Sequence, residues 1–156
     1  MKKLFQIFFV AALMVSAAAC QKEEPMLDIV DPSIVGEWHL INTEYNGESL
    51  NKHVDVYFVI NSDCTFELYQ KGSSQSRYTK HTGTCKTEDG VLMGTYSTGK
   101  AWGDSYAVSV EGDMLTLLNS DGTELQEYKK ESLAQAEKDA ADISTRSESD
   151  IIEPIL

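Results

Sequence analysis

Three cysteines and three histidines hold most of the reactive chemistry open to this 156-residue chain. A zinc site needs three or four N, S or O donors converging tetrahedrally. His39 follows Trp38 and faces the opposite way, His53 falls in a loop, and His81 lies in a separate alternating run. The three do not converge, so no metal is expected. No serine sits in a Gly-x-Ser-x-Gly elbow, and no glycine-rich loop follows a strand and opens a helix. No Cys-x-x-Cys spacing points to redox catalysis. Carboxylates are scattered through turns and outward strand positions, as on a solvated face. No catalytic residue is assigned, no cofactor is implied, and the chain is not expected to be an enzyme. Thirteen basic against 25 acidic residues, a net charge of −12, also argue against nucleic acid, whose binders need a clustered basic face.

The third cysteine, Cys20, belongs to different chemistry. Lys2 and Lys3 precede a run of about a dozen mostly apolar residues, Leu4 to Val15. A spanning helix needs about 20, so this run reads as the core of a signal peptide. Ser16-Ala17-Ala18-Ala19 followed by Cys20 resembles a bacterial lipobox. That resemblance implies cleavage before Cys20 and acylation of Cys20, palmitate included. The alternative is an ordinary secretory signal with a chance cysteine. Gln21-Lys22-Glu23-Glu24-Pro25 resembles the surface-export signal of Bacteroidota lipoproteins. It implies an outer-membrane lipoprotein exposed at the cell surface, with the periplasmic face as the alternative. Two or more acyl chains anchor stably where one does not. They would hold at the membrane a protein whose charge, −14 once Lys2 and Lys3 are lost, keeps it off anionic lipid.

The rest of the chain must build the element that this anchor carries. From Ile34 the apolar pattern has period two, the signature of half-buried strands. Val54, Val56, Phe58 and Ile60 alternate along one run, Phe66 and Leu68 along the next, and Tyr106, Val108 and Val110 along another. Turn signals such as Asn61-Ser62-Asp63, Asp89-Gly90, Gly112-Asp113 and Asp121-Gly122 punctuate them. Eight strands result, at about 34–42, 54–61, 65–71, 77–86, 91–97, 104–110, 114–119 and 124–130. Nearly all connections are of hairpin length, so sequence neighbours should pair. The expected fold is all-β: an eight-stranded antiparallel up-and-down meander barrel, closed to remove exposed edges, with a short C-terminal helix. The one long connection, Thr43 to His53, contains Asn46-Gly47.

Several segments together resemble lipocalin-like domains of Bacteroidota lipoproteins. Ile34-Val35-Gly36-Glu37-Trp38-His39-Leu40 is similar to the first lipocalin strand with its Gly-x-Trp. Asn61-Ser62-Asp63-Cys64-Thr65-Phe66, Gly83-Thr84-Cys85 with Glu88-Asp89-Gly90, and Asp113-Met114-Leu115-Thr116-Leu117 resemble later hairpins of those domains. The chain then divides into a signal peptide (1–19), an acylated flexible tether (20–33), a lipocalin-like barrel (34–131) and a short helix with a loose tail (132–156). The resemblance implies a lid formed by the Thr43–His53 loop and a helix lying outside the barrel. Gly36 and Trp38 are expected to close one barrel end. Gly36 would permit close backbone approach, and the indole would act as a plug capped by a cation of the last strand, Lys129 or Lys130.

Cys64 and Cys85 leave the cytoplasm, so a disulfide is permitted. A turn near residues 74 and 75 makes opposed residues sum to about 149, setting Leu68 against His81, Phe66 against Gly83 and Cys64 against Cys85. Opposed Cβ atoms lie ~4.5–5.5 Å apart, within reach of a bond. The alternative is two buried free thiols.

Small-molecule sites are concave, mostly apolar and common in barrel mouths. The expected inward set for a small apolar ligand is Leu40, Asn42, Phe58, Phe66, Leu68, His81, Met93, Tyr106, Val108 and Leu117. Against this, an interior of eight short strands is barely wide enough for its own side chains. Two functions follow as expectations. One is an envelope lipoprotein binding a small hydrophobic or amphipathic ligand. The other is a filled-core barrel that works as a protein-interaction or inhibitor module. After the strands, Ser132 and Gln135 fit a capping box, with Leu133, Ala136 and Ala140 as a weak apolar stripe on the helix.

Overall fold

The computed structural model describes residues 28–50, 54–144 and 155–156. The expected signal peptide, Cys20, most of the expected tether, His53 and residues 145–154 lie outside the described residues.

A short 3-10 turn, Pro32–Ile34, leads into β1 (Gly36–Tyr45) and the two-residue β2 (Glu48–Ser49). Then come β3 (Val54–Ile60), β4 (Thr65–Gly72), β5 (Thr79–Glu88) and β6 (Val91–Tyr96). They are followed by β7 (Tyr106–Glu111), β8 (Met114–Asn119), β9 (Glu124–Lys130), α1 (Gln135–Asp139) and β10 (Asp142–Ile143). The eight long strands pair antiparallel with their neighbours, and β1–β9 closes the ring. This is the up-and-down barrel that the hairpin-length connections imply. Strand ends differ from the sequence reading by up to three residues, as at β1. The long connection after β1 holds its own hairpin: Asn46 (φ 52°) and Gly47 (φ 77°) supply the left-handed pair for a tight turn, and β2 folds back on β1.

Antiparallel alternation fixes which face each residue takes. The β4–β5 register pairs Leu68 with His81 and Phe66 with Gly83, as the sum rule requires. The interior is an apolar cluster including Trp38, Val56, Phe58, Phe66, Leu68, Leu92, Leu115, Leu117 and Tyr128. We call the end carrying Tyr45, Val54, Thr79, Tyr96 and Asn119 the upper end.

The lower end is closed by residues 28–35. Val30 and Ile34 are buried there, Trp38 Nε1 donates to Ile34 O at 2.8 Å, and Lys130 Nζ lies 5.5 Å from the Trp38 ring centre. Thr87 N donates to Ile29 O at 2.7 Å, so this stretch of the expected tether is docked on the barrel. Gly36 is required for a different reason than crowding. A Cβ there would stand 3.5 Å from Lys130 Cε, an ordinary contact, but its φ of 150° disfavours any side chain.

The expected disulfide is not formed. Cys85 N does donate to Cys64 O at 2.8 Å, so the backbones meet as expected. Cys64, however, lies in the turn before β4 with φ 65°, and its Sγ donates to Asp28 O at 3.1 Å; both thiols are free.

The capping box is not made either. α1 starts at Gln135 behind Ala134, with no side-chain cap. Leu133 sets its position instead. It is buried on the outer wall among Tyr57, Val59, Tyr69 and Tyr78, while Ala136 and Ala140 stay exposed. Lys138 Nζ to Glu37 Oε1 at 2.6 Å pins the helix to β1.

Candidate functional site

Eight of the ten expected interior residues point inward. Phe58, Phe66, Leu68 and Leu117 are fully buried, Tyr106 and His81 nearly so, and Leu40 and Val108 pack on the same cluster. Asn42 and Met93 do not. A bulge between Leu40 and Asn42 shifts the β1 register by one, so Thr43 faces in and Asn42 faces out. Its amide donates to Glu127 Oε2 at 2.9 Å and accepts from Ser49 Oγ at 2.9 Å. Met93 pairs with Lys86 and lines an outer-wall depression of about 310 Å³ with Asp28 and Thr84; Leu92 takes the inward place.

The barrel centre is filled by a residue that the strand pattern does not reveal. Trp102, from the loop between β6 and β7, folds inward and meets Phe66, Phe58 and Tyr106 edge-on, with ring centres 5.1, 5.9 and 6.3 Å away. Gly94 makes room: a Cβ there would stand 2.4 Å from Trp102 Cε2. Gly83 is equally constrained, with Thr95 O 2.1 Å from its missing Cβ. A glycine inside a strand marks such close approach, so Gly83 and Gly94 were the available signals.

Above Trp102 the wall turns polar. Gln70 on β4 and His81 on β5 share the inward face, diagonal to one another across the register. Thr43, Thr79 and Gln126 are buried at the same end. Tyr128 Oη donates to Gln126 Oε1 at 2.6 Å, and Gln126 Nε2 donates to Glu124 Oε1 at 3.0 Å. The two amide atoms of Gln70, His81 Nε2 and Trp102 Nε1 find no hydrogen-bond partner among the described residues. Such orphaned groups are costly, at ~1–3 kcal/mol each.

Burial sets the protonation of this wall. It pushes the His81 imidazole below its ordinary value, so the ring is neutral at pH 7. It also raises the phenols of Tyr96, Tyr106 and Tyr128, which remain O–H donors. The site therefore offers neutral donors and acceptors above an apolar floor, with the Glu124 carboxylate beside Gln126 as its charged member. Among the described residues it contains no nucleophile beside a base, and no three His, Cys, Asp or Glu gather as a metal site. His39 is elsewhere, on the outer wall. It stacks on Tyr57 at 4.3 Å, with Nε2 2.9 Å from Asp55 Oδ1.

No protein-family model matches the chain, and no curated protein matches it. Among solved structures it is similar to a crystal structure of a lipoprotein YedD from Klebsiella pneumoniae. The two share 13% identity over 72% of this chain and 85% of that one, with a TM-score of 0.45.

Proposed function

We propose that the chain is an outer-membrane lipoprotein, anchored through acyl chains on Cys20 and displayed at the cell surface. Its barrel binds a small hydrophobic or amphipathic ligand at the upper end, without catalysis. One observation carries the ligand reading: Gln70 and His81, buried with unpaired polar atoms, share the inward face with the apolar Val56, Leu68 and Leu117 and with the buried Thr43, Thr79 and Gln126. A mostly apolar concavity with few polar groups is the usual make-up of small-molecule sites. The ligand's polar end would pair with Gln70 and His81, and its apolar body would lie on the floor above Trp102.

A second reading has its own support. Trp102 fills the barrel centre, as expected of a filled-core module that acts through its outer face. Titration with a fluorescent fatty acid, followed by displacement, separates the two. Saturable binding weakened by Gln70→Leu supports the ligand site. No binding of any apolar probe favours the interaction module. For the anchor, labelled palmitate should be incorporated and then lost in Cys20→Ser. Protease shaving of intact cells should remove the protein; survival until lysis would place it on the periplasmic face.

A further inference from the structure

The upper end is already engaged by two residues from far along the chain. Leu156 is only 5% exposed and joins the interior cluster, with Ile155 packed beside it. Their main-chain oxygens are taken by donors on different walls of the barrel. Tyr96 Oη, on β6, donates to Leu156 O at 2.9 Å, and Gln126 Nε2, on β9, donates to Ile155 O at 3.3 Å. Burial keeps the Tyr96 phenol protonated, consistent with that role. Two successive main-chain oxygens and two branched aliphatic side chains are thus held by an inward tyrosine, an inward glutamine and the apolar wall. No covalent bond or ion pair among the described residues fixes Ile155 or Leu156 there.

We propose that the upper end is a binding site for aliphatic carbonyl compounds, and that Ile155 and Leu156 fill it as an intramolecular occupant that an external ligand must displace. The inference deepens the ligand-binding reading by naming the ligand chemistry, a branched or linear aliphatic body bearing a carbonyl oxygen, and by adding self-competition. A free fatty acid and an apolar peptide both present this chemistry. An intramolecular segment acts at an effective concentration in the millimolar range. A ligand's apparent affinity falls by the fraction of molecules in which the site is open. If the occupant fills the site in about nine molecules of ten, its removal should tighten ligand binding ~10-fold.

The test uses the full chain and a double variant, Ile155→Ser with Leu156→Ser, which removes the aliphatic side chains. The probes are a synthetic peptide of the natural 151–156 sequence and a fluorescent fatty acid. Binding of the peptide, up to millimolar concentration, is read by NMR shifts of the Tyr96 and Gln126 side chains. The expected result is saturable binding to the double variant, little binding to the natural chain, and loss of binding in a triple variant that adds Tyr96→Phe. A circular-dichroism melt of each variant establishes that the barrel is folded. Absence of peptide binding to the folded double variant overturns the proposal, as does equal binding to the natural chain. The fatty acid arm is read separately. Peptide binding with no fatty acid binding upholds the site and its occupant while refuting a fatty acid as ligand; fatty acid binding of equal strength in both chains refutes self-competition while leaving the ligand-binding reading standing.

Discussion

Replacing Gly94 with alanine tests how the barrel centre is packed. The added Cβ would stand 2.4, 2.5 and 2.8 Å from three atoms of the Trp102 indole. Carbon atoms attract best at ~3.5–4.0 Å, so the ring must retreat by about 1 Å. The indole has nowhere easy to go, because Phe58, Phe66 and Tyr106 meet it edge-on and it is nearly buried. Overpacking of this kind costs ~1–3 kcal/mol. Exchanging a strand glycine for alanine recovers ~0.5–1 kcal/mol of backbone entropy. The net expectation for Gly94→Ala is a loss of ~1–2 kcal/mol. Trp102→Leu alone leaves a void and should cost somewhat less than the ~3–5 kcal/mol typical of Trp→Ala. In the Trp102→Leu background the methyl added at position 94 enters vacated space, so Gly94→Ala should become neutral or stabilising. The double-mutant cycle should therefore show a favourable interaction of ~1–2 kcal/mol. Urea unfolding of the four proteins, with midpoints compared at constant slope, measures it. Strict additivity would refute the claim that Trp102 occupies the space over Gly94.

The remaining predictions concern the other buried groups. Burial pushes the Cys85 thiol up to about 12, so in a Cys20→Ser chain at pH 8 only half-buried Cys64 should react promptly with a thiol reagent, Cys85 reacting after denaturation. Equal rates would contradict the burial of Cys85, and no reaction in the unreduced protein would contradict the free-thiol assignment. Below pH 6.5, the ordinary value for His81, the unfolded chain takes up a proton that the buried ring resists. Stability from this group is complete above that pH and falls as pH drops through it, so His81→Leu should flatten the acid limb of a stability-against-pH curve. Leu133→Ala should cost ~2–4 kcal/mol and free α1 from the patch of Tyr57, Val59, Tyr69 and Tyr78. Limited proteolysis should then cut near residues 135–144, and an unchanged cleavage pattern would count against that anchor.

Strand number, pairing order and the β4–β5 register were legible because alternation and turn chemistry are local. Two orientations were not, for distinct reasons. Continuing the parity of Trp38 and Leu40 turns Asn42 inward, but the bulge after Leu40 inserts a residue without any glycine to announce it. Val91, Leu92 and Met93 are all apolar, so parity there is ambiguous. Gly94, which must face inward to admit Trp102, puts Leu92 on the same face and turns Met93 out. Trp102 itself sits among turn residues whose pattern gives no face. Gln70 was legible in principle, since it follows Phe66 and Leu68 at period two, but its polarity argues for solvent. Ile155 and Leu156 fall within the expected loose tail but are docked in the barrel, through contacts with Tyr96 and Gln126 that span 60 and 29 residues.

The central claim is that the upper end of the barrel is a ligand site. Titration of a fluorescent fatty acid into the chain, with energy transfer from Trp38 and Trp102 as the signal, tests this directly. Transfer that saturates, is displaced by unlabelled aliphatic acid and is weakened by Gln70→Leu is the predicted result. Linear, unsaturable transfer that Gln70→Leu leaves unchanged would contradict the account.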